Sequence, residues 1–455
     1  MKLYREDVIK LTGPILMEQL FVTLMGIINT MMAGHIGKEA VSAIGMIDSI
    51  NNLFIAFFSA LAVGGTVVVS QYIGQDNIKK ANEATKQALY TSILISLSIS
   101  VLMAVLRTPI ITGLFGSAEQ KVINNAYVYF GITLLTYPLI TIDLISNGIL
   151  RGAGDSKTPM QISIFMNILN VAFTYLFIHG FNLAGIIKLP ALGVMGAALG
   201  ISVARAIGAV IIVIVLLRGS KVIKLKRMRK FKFDKDLLKP IFGIGVPASI
   251  ESLMFNGGKL IMQIFIVGMG TAAIAANTIS NSITTFFNIS GNSLAIAATA
   301  LVGRYMGRDD PDEASRCLSY IVKLSTSMLV IVGCISIIFS THLGSLFTNN
   351  KGIINIVSGI LKSYGIAIVT WPISFVLPSG LKGAGDVKYT LATSLIGMWI
   401  FRMAFGYILG ISLHFGLLGI WIGMYVDWLI RGILYLIRFK KGKWKNHIVI
   451  KRVSA

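Results

Sequence analysis

The chain has 455 residues and a formal net charge of +22, with 55% hydrophobic and only 13% charged residues. Soluble domains carry about 25% charged residues, so too few polar side chains are present here to cover a water-soluble surface. The composition excludes an ordinary soluble enzyme and predicts that lipid surrounds most of the chain.

The positive charge by itself would be compatible with a nucleic-acid partner. Basic residues that bind nucleic acid form a stripe with interleaved aromatic residues, whereas here they lie in short segments between apolar runs. We therefore expect no nucleic-acid partner. Cys317 and Cys334 are predicted to be reduced and structural. The sequence contains no Walker A loop, HExxH motif or nucleophile motif, so we expect no enzymatic activity.

Apolar segments of roughly 20 residues or more, long enough to cross a bilayer, recur along the whole chain. Twelve are predicted, at 11–33, 45–72, 88–114, 124–149, 160–180, 192–217, 241–269, 276–303, 319–347, 354–381, 389–412 and 416–437. The predicted fold class is therefore an all-α integral membrane protein with twelve transmembrane helices. We expect no cleavable signal peptide, because the first segment lacks a small-residue cleavage site.

Lysine and arginine are concentrated at both ends of the chain and in every second loop. This alternation predicts that both termini are cytoplasmic. The longest polar stretch, RGSKVIKLKRMRKFKFDKDLLKP, is predicted to be a cytoplasmic linker held at an anionic membrane surface. It divides the chain into an N-terminal six-helix lobe (1–217), the linker (218–240), a C-terminal six-helix lobe (241–437) and a basic cytoplasmic tail (438–455).

The two halves are related in sequence. A shift of 233 residues places Glu18 on Glu251, each four residues after a proline. A similar shift places LRGAGDSK (150–157) on LKGAGDVK (381–388). Two halves with the same number of helices and the same topology are typical of transporters that work by alternating access.

A family resemblance rests on three segments, GILRGAGDSKTPM (148–160), SGLKGAGDVKYT (379–390) and VSQYIGQDNIKKANEATKQA (69–88). They resemble the multidrug and toxic compound extrusion (MATE) family, within the multidrug/oligosaccharidyl-lipid/polysaccharide exporter superfamily. The resemblance covers the whole chain and implies two six-helix bundles around a V-shaped central cavity. It also implies secondary active efflux of amphipathic, cationic organic compounds, driven by a proton or sodium gradient.

The same resemblance implies the partners of the chain. We expect a small organic substrate, membrane lipids and no cofactor other than the transported H⁺ or Na⁺. We also expect a monomer in a bacterial plasma membrane, crossing it many times.

Two other functions stay open. One is a flippase for lipid-linked precursors within the same superfamily, which would need a strongly cationic cavity for phosphates. The other is a non-transporting membrane receptor, which the doubled repeat disfavours. The candidate cavity residues include two acids, Glu18 and Glu251, and one lysine, Lys259, and this balance favours drug export.

An ionisable residue inside an apolar helix costs several kcal/mol unless it pairs or faces water, so each is a functional candidate. Glu251 is the first choice for cation coupling or substrate binding, because Pro247 favours a kink beside it and its position matches an acidic residue of the family. Its alternative role is a structural carboxylate paired with a donor such as Lys259. Glu18 is its counterpart in the repeat. The full set comprises Glu18, Asp48, Asp143, Arg205, Glu251, Lys259, Arg402, Asp427 and Arg431.

Two acidic positions typical of the family are replaced. Asn29 stands where the family has an aspartate on helix 1, and Thr174, one turn after Asn170, stands where it has one on helix 5. An amide or a hydroxyl does not take up a proton near neutral pH, and neutral oxygens bind sodium weakly. Two alternatives remain: coupling through Glu251, with Glu18 as a second candidate, or a weakly coupled transporter. Asn29, Asn170 and Thr174 remain candidate ligands. The sequence defines no metal-ligand set.

The GAGD loop of each half is predicted to be a structural turn or a gate, because its glycines permit a tight turn. Arg151 and Asp155 are expected to pair with each other and to cap neighbouring helix ends. Lys382 and Asp386 occupy the same places in the second half.

Overall fold

The first half of the chain is built almost entirely of helices in this computed structural model, which describes residues 3–116, 118–183, 187–220, 222–226, 232–447 and 449–450. The helices are α1 (Leu3–Ile36), α2 (Lys38–Gly74), α3 (Ile78–Val105), α4 (Arg107–Phe115), α5 (Gln120–Leu134), α6 (Tyr137–Gly152), α7 (Lys157–His179) and α8 (Gly193–Arg218).

The second half follows the same pattern with more interruptions. Its helices are α9 (Lys235–Val267), α10 (Thr271–Phe287), α11 (Ile289–Gly307), α12 (Pro311–Ile338), α13 (Ser340–Ser345), α14 (Lys351–Ala367), α15 (Leu377–Gly383), α16 (Val387–Leu395), α17 (Met403–Tyr407) and α18 (Gly416–Lys440). Short 3₁₀ segments lie at Ile368–Thr370 and Lys443–Asn446, and π-helical segments at Pro372–Val376, Ile396–Arg402 and Ile408–Ser412.

Ten helical segments of the described chain are each long and apolar enough to cross a membrane. Two pairs of helices pass the same test only together, α5 with α6 and α10 with α11, and they are bent by 49° and 50°. If each bent pair forms one span, the number is twelve, as predicted. The first bend has a clear cause, because Pro138 lies in the first turn of α6 and its missing N–H interrupts the helical hydrogen bonding.

One short element was absent from the all-α prediction. Between α7 and α8, where the sequence indicated only a loop, β1 (Phe181–Leu183) and β2 (Ile187–Leu189) form an antiparallel pair. Phe181 lies opposite Leu189 in this pair, and Leu183 lies opposite Ile187. The pairing hydrogen-bonds the backbone of a connection that lies between two membrane spans.

The helices form two compact units, whose borders differ from the predicted lobes (1–217 and 241–437). The N-terminal unit comprises Met17–Val69 and Ile78–Ile241. The C-terminal unit contains the chain from Phe242 onward, together with the start of α1 up to Leu16 and with Ser70–Asn77.

The start of α1 belongs to the C-terminal unit because its apolar side chains lie in the core of that unit. Val8 and Ile15 are fully buried there. Tyr4 packs edge-on against Tyr320 of α12, with 5.6 Å between the ring centroids. Sequence periodicity identifies an apolar face on a helix, but it does not say which half of the chain covers that face.

The ends of α2 and α11 cross at very short range inside the C-terminal unit. A Cβ atom at Gly307 would overlap the carbonyl oxygen of Gln71, and one at Gly74 would overlap that of Arg304. The two glycines are also repeat-related, since they lie 233 residues apart. Small residues of this kind allow membrane helices to approach each other closely.

Replacing Gly307 with alanine is expected to destabilise the protein by about 1–3 kcal/mol, the usual cost of overpacking, since backbone atoms cannot move aside cheaply. The midpoint of thermal unfolding of the detergent-purified protein measures this effect. Gly243→Ala is the matched control, because the space around Gly243 in α9 is open. Equal losses in both variants would contradict the close crossing.

Candidate functional site

Glu18 of α1, a predicted coupling residue, forms an ion pair inside the N-terminal unit. Its partner is Arg151, at the end of α6, whose Nη2 atom lies 2.6 Å from both carboxylate oxygens. Both side chains are almost completely buried. The charge of the carboxylate is therefore neutralised by the cation of the first GAGD loop.

Glu251 of α9 has an equivalent ion pair in the C-terminal unit. The Nζ atom of Lys382, in α15, donates to Glu251 Oε1 at 2.9 Å. The hydroxyl of Thr390, in α16, donates to Oε2 at a longer 3.4 Å. The sequence suggested Lys259 as a partner for Glu251, but the structure places Lys382 there instead.

These two ion pairs occupy equivalent positions in the internal repeat. The sequence predicted the membrane-embedded acids and the cations of the GAGD loops as two separate sets of functional residues. In the structure, an acid of the first set forms an ion pair with a cation of the second set in both units. Charges buried this deeply are retained only where a partner and hydrogen bonds compensate for the loss of water. Each pair thus links the first helix of its half to the loop after the fourth predicted span of that half.

The aspartates of the GAGD loops have a different role. Asp155 accepts hydrogen bonds from the backbone N–H of Thr158 at 3.1 Å and from its hydroxyl at 2.7 Å. It therefore caps the start of α7, as predicted. The expected pairing of Asp155 with Arg151 is corrected, because the ion-pair partner of Arg151 is Glu18. Ser220, just after α8, also donates to Asp155.

Asp386 holds the segment that follows α18, as Asp155 holds the segment that follows α8. Arg438 donates to Asp386 from Nε at 2.7 Å and from Nη2 at 3.1 Å. His447 Nε2 lies 3.1 Å from the same carboxylate. Burial opposes ionisation of Asp386, but the contacts from His447 and Arg438 outweigh it and lower the pKa of the carboxyl below its ordinary value.

Asn29, Asn170 and Thr174 are the neutral candidate ligands of the N-terminal unit. Two of them form a hydrogen bond with each other, and Asn29 is not part of it. Thr174 Oγ1 donates to Asn170 Oδ1 at 3.1 Å, and both residues are buried on α7. The Oδ1 atom of Asn29 is buried in α1 and has no hydrogen-bond partner among the described residues. No hydrogen bond joins Asn29 to the other two residues within that part of the chain.

A polar network in the N-terminal unit surrounds Asp48, which the sequence flagged only as an ionisable residue. Tyr129 donates to Asp48 Oδ1 at 3.1 Å, and Asn51 lies 3.5 Å from the same oxygen. Tyr137 in turn donates to Asn51 at 3.0 Å. Sequence reasoning missed these three partners, because a tyrosine or asparagine in a helix is not unusual enough to attract attention.

Asp143 of α6 and Asp48 are the two sequence-predicted embedded acids of this unit that do not pair with Arg151. The Oδ1 atom of Asp143 is buried and has no hydrogen-bond partner in the described chain. Its charged neighbours are Glu18, Arg151 and Arg205. Among the described candidate ions of this unit, three are carboxylates (Glu18, Asp48 and Asp143) and two are guanidinium groups (Arg151 and Arg205), so negative charge is in surplus within this set.

The C-terminal unit has the opposite balance. Asp427 of α18 is fully buried between two arginines, with Arg431 Nε 2.6 Å from Oδ1 and Arg402 Nε 3.2 Å from Oδ2. Lys259 of α9 lies 5.0 Å from the ring centroid of Phe255, which both arginines also approach. Among the described candidate ions of this unit, two are carboxylates (Glu251 and Asp427) and four are cations (Lys259, Lys382, Arg402 and Arg431).

The sequence did not define a set of metal ligands. Among the described residues, no group of three or more His, Cys, Asp and Glu side chains is arranged to hold a metal ion. The embedded carboxylates described above each lie beside at least one cationic or neutral polar side chain.

Membrane spans, an internal repeat and paired ions inside the spans define the chain as a multi-pass membrane transporter. A sequence model described as MatE matches residues 14–176 and 247–408. The chain belongs to the MatE family, which confirms the predicted resemblance. The two matched ranges begin 233 residues apart, which is the offset of the predicted repeat.

Curated relatives extend over nearly the whole chain. It is 31% identical over 444 residues to the uncharacterized transporter YisQ of Bacillus subtilis, covering 95% of this chain and 94% of the relative. It is 27% identical over 451 residues to a probable multidrug resistance protein NorM of Thermotoga maritima, covering 98% and 95%. Both relatives are bacterial.

Solved structures match the fold over the same length. One is described as the outward-facing conformation of a multidrug resistance MATE family transporter of the MOP superfamily, with a TM-score of 0.88 and 20% identity over 97% of each chain. Another, of MATE in complex with MaL6, has a TM-score of 0.86 and 21% identity, again over 97% of each chain. These matches confirm the twelve-helix, two-lobe fold class.

Arg151→Gln is expected to destabilise the protein by about 3–5 kcal/mol, because it leaves Glu18 buried without its cation. The double variant Glu18→Gln/Arg151→Gln should recover part of this loss, since neither charge remains. Thermal unfolding in detergent measures both effects. Lys10→Gln, which alters the exposed pair with Glu6 on the same helix, is the control. A double variant no more stable than the single variant would contradict the pairing.

Asp386→Asn should release the segment after α18 and raise its rate of tryptic cleavage about tenfold, as expected for the loss of charge-assisted hydrogen bonds. Asp155→Asn is the repeat-matched control and should instead expose the segment near Ser220. Mass spectrometry of early fragments locates the cuts. Faster cleavage of the same segment in both variants would contradict the separate roles of the two aspartates.

Proposed function

We propose that this chain is a secondary active exporter of amphipathic organic compounds, driven by a proton or sodium gradient through alternating access. Membership of the MatE family supports this function. So does the relative from Thermotoga maritima, which is named a probable multidrug resistance protein. These names favour drug export over the flippase alternative, and the absence of enzyme motifs agrees with a transport function.

The observation that carries the proposal is the matched ion pair in each half of the repeat. An exporter of this kind needs an ionisable group whose neutralisation changes the conformation that the protein prefers. Glu251 meets this requirement, because its charge holds Lys382 and, through it, the second GAGD loop. When H⁺ or Na⁺ neutralises Glu251, the attraction for Lys382 is lost and the loop is freed to move.

Asp143 is the competing position for the coupling ion. Surplus negative charge in the N-terminal unit favours binding of a cation there, and Asp143 Oδ1 has no hydrogen-bond donor in the described chain. It stands in the half of the protein where Asn29 and Thr174 replace the acids of the family. We assign coupling to Glu251, and a direct comparison with Asp143 tests that assignment.

The remaining features of the proposal concern the setting of the protein. The alternation of basic loops supports a plasma-membrane location with both termini cytoplasmic. Small organic compounds and membrane lipids are its proposed partners, and the monomer is its proposed functional unit. H⁺ or Na⁺ is a transported ion in this mechanism and not a resident cofactor.

The test is efflux of a panel of fluorescent amphipathic dyes of different charge from proteoliposomes under an imposed pH or sodium gradient. One gradient should drive efflux by the wild type. Glu251→Gln should lower the initial rate at least about tenfold, which corresponds to a typical coupling free energy. Asp143→Asn is run in parallel, and Glu119→Gln, in an exposed loop, is the control.

Two outcomes would overturn parts of this account. Loss of efflux in Asp143→Asn with normal efflux in Glu251→Gln would move the coupling site to the N-terminal unit. Failure of every dye to respond to either gradient, with protein correctly inserted, would contradict export itself.

A further inference from the structure

Three cations inside the C-terminal unit surround a single aromatic ring. The ring of Phe255, in α9, has Lys259 Nζ at 5.0 Å, Arg402 Cζ at 5.2 Å and Arg431 Cζ at 5.3 Å from its centroid. Arg431 Cζ also lies 4.8 Å from the ring centroid of Phe375. Cation–π contacts stabilise each cation, but they leave its charge uncompensated.

Asp427 is the acid within this cluster, and its charge is divided between the two arginines. In addition to the contacts of the Nε atoms, Arg431 Nη2 donates to Asp427 Oδ2 at 3.1 Å. Lys259 has no acidic partner among the described residues. The cluster therefore holds three positive charges against one negative charge within a membrane-spanning unit.

Exposure distinguishes the lysine from the arginines. Arg402 and Arg431 are buried, with 5% and 3% of their surfaces exposed. Lys259, on the same ring of Phe255, is exposed. Lys259 is therefore the accessible member of the cluster, beside two buried arginines. An unpaired cation within a membrane span is costly and marks a functional position.

The backbone around the cluster is also unusual. Arg402 ends the π-helical segment Ile396–Arg402, and Phe375 lies in the π-helical segment Pro372–Val376. Such π-turns within helices occur frequently at functional sites. Gly397 permits the close packing, because a Cβ there would overlap Asp427 and Arg431.

In the described part of the N-terminal half, the positions that the repeat equates with Lys259 and Phe255 do not carry a cation and an aromatic ring. The 233-residue repeat places Gly26 on Lys259 and Val22 on Phe255. An ion pair with the GAGD loop is present in both halves, whereas, among the described residues, the group of three cations around a phenylalanine ring is present in one. A feature that only one half carries is not needed for the shared fold, and this difference favours a role in ligand binding.

We propose that Lys259, with Arg402 and Arg431 behind it, binds an oxyanion group of the transported compound: a carboxylate, sulfonate or phosphate on an aromatic or amphipathic body. This inference rests on the proposed export function and names the charge class of the substrate, in place of the cationic class predicted from the sequence. The cationic class was implied by the family resemblance, and the two acids that agreed with it, Glu18 and Glu251, are both paired with cations in the structure. A lipid headgroup would present the same oxyanion chemistry.

The test is fluorescence-polarisation binding of 5-carboxyfluorescein, an aromatic anion, and rhodamine 6G, an aromatic cation, to full-length protein in phosphatidylcholine nanodiscs. Lys259→Gln should weaken carboxyfluorescein binding at least about tenfold, as for a lost charge-assisted hydrogen bond, and should not weaken rhodamine 6G binding. Lys259→Arg should retain carboxyfluorescein binding. Lys239→Gln makes the same chemical change at an exposed position of α9 and should have no effect.

Carboxyfluorescein binding that is absent, or equal in wild type and Lys259→Gln, would overturn the oxyanion site and leave the export proposal standing. Equal losses in Lys259→Gln and Lys239→Gln would also overturn it, since the effect would then be non-specific. Loss of dye binding in phosphatidylglycerol nanodiscs would assign the site to a lipid headgroup and not to a substrate. Lysine-dependent dye binding without gradient-driven efflux of any dye would keep the site and contradict export.

Discussion

The free energy of placing a charged side chain inside a membrane-spanning unit governs this structure. Such a charge is costly unless it is paired, hydrogen-bonded or opened to water, and the first two solutions are present here. Glu18 and Glu251 are paired with loop cations, Asp48 is hydrogen-bonded to Tyr129, and Lys259 is exposed. Because the pairs join helices distant in sequence, the same interactions that permit the charges also fix the positions of the GAGD loops.

The internal repeat is therefore only partly symmetric in its chemistry. Both halves preserve the link between an embedded glutamate and a GAGD-loop cation. Outside that link, the N-terminal unit has surplus negative charge around Asp143, and the C-terminal unit has surplus positive charge around Lys259. In the proposed exporter, coupling through Glu251 and oxyanion binding at Lys259 both belong to the C-terminal unit, and Asp143 in the N-terminal unit is the competing position for the coupling ion.

The sequence predicted the spans, the repeat and the family, because these depend on composition and on spacing along the chain. It did not predict the partners of the ions. Helical spacing shows which residues share a face of one helix, so it suggested Lys259 for Glu251, whereas Lys382 comes from another helix 131 residues away. The bend before Pro138 was missed for a related reason, since the apolar run continues through it without a change in composition.

The most direct test of the central claim is a charge exchange, Glu251→Lys combined with Lys382→Glu. This double variant keeps an ion pair at the same place but moves the carboxylate from α9 to α15. The account predicts that thermal stability returns towards that of the wild type, compared with either single variant, while gradient-driven efflux stays lost. Recovery of both stability and efflux would show that the pair is purely structural and would contradict coupling through Glu251.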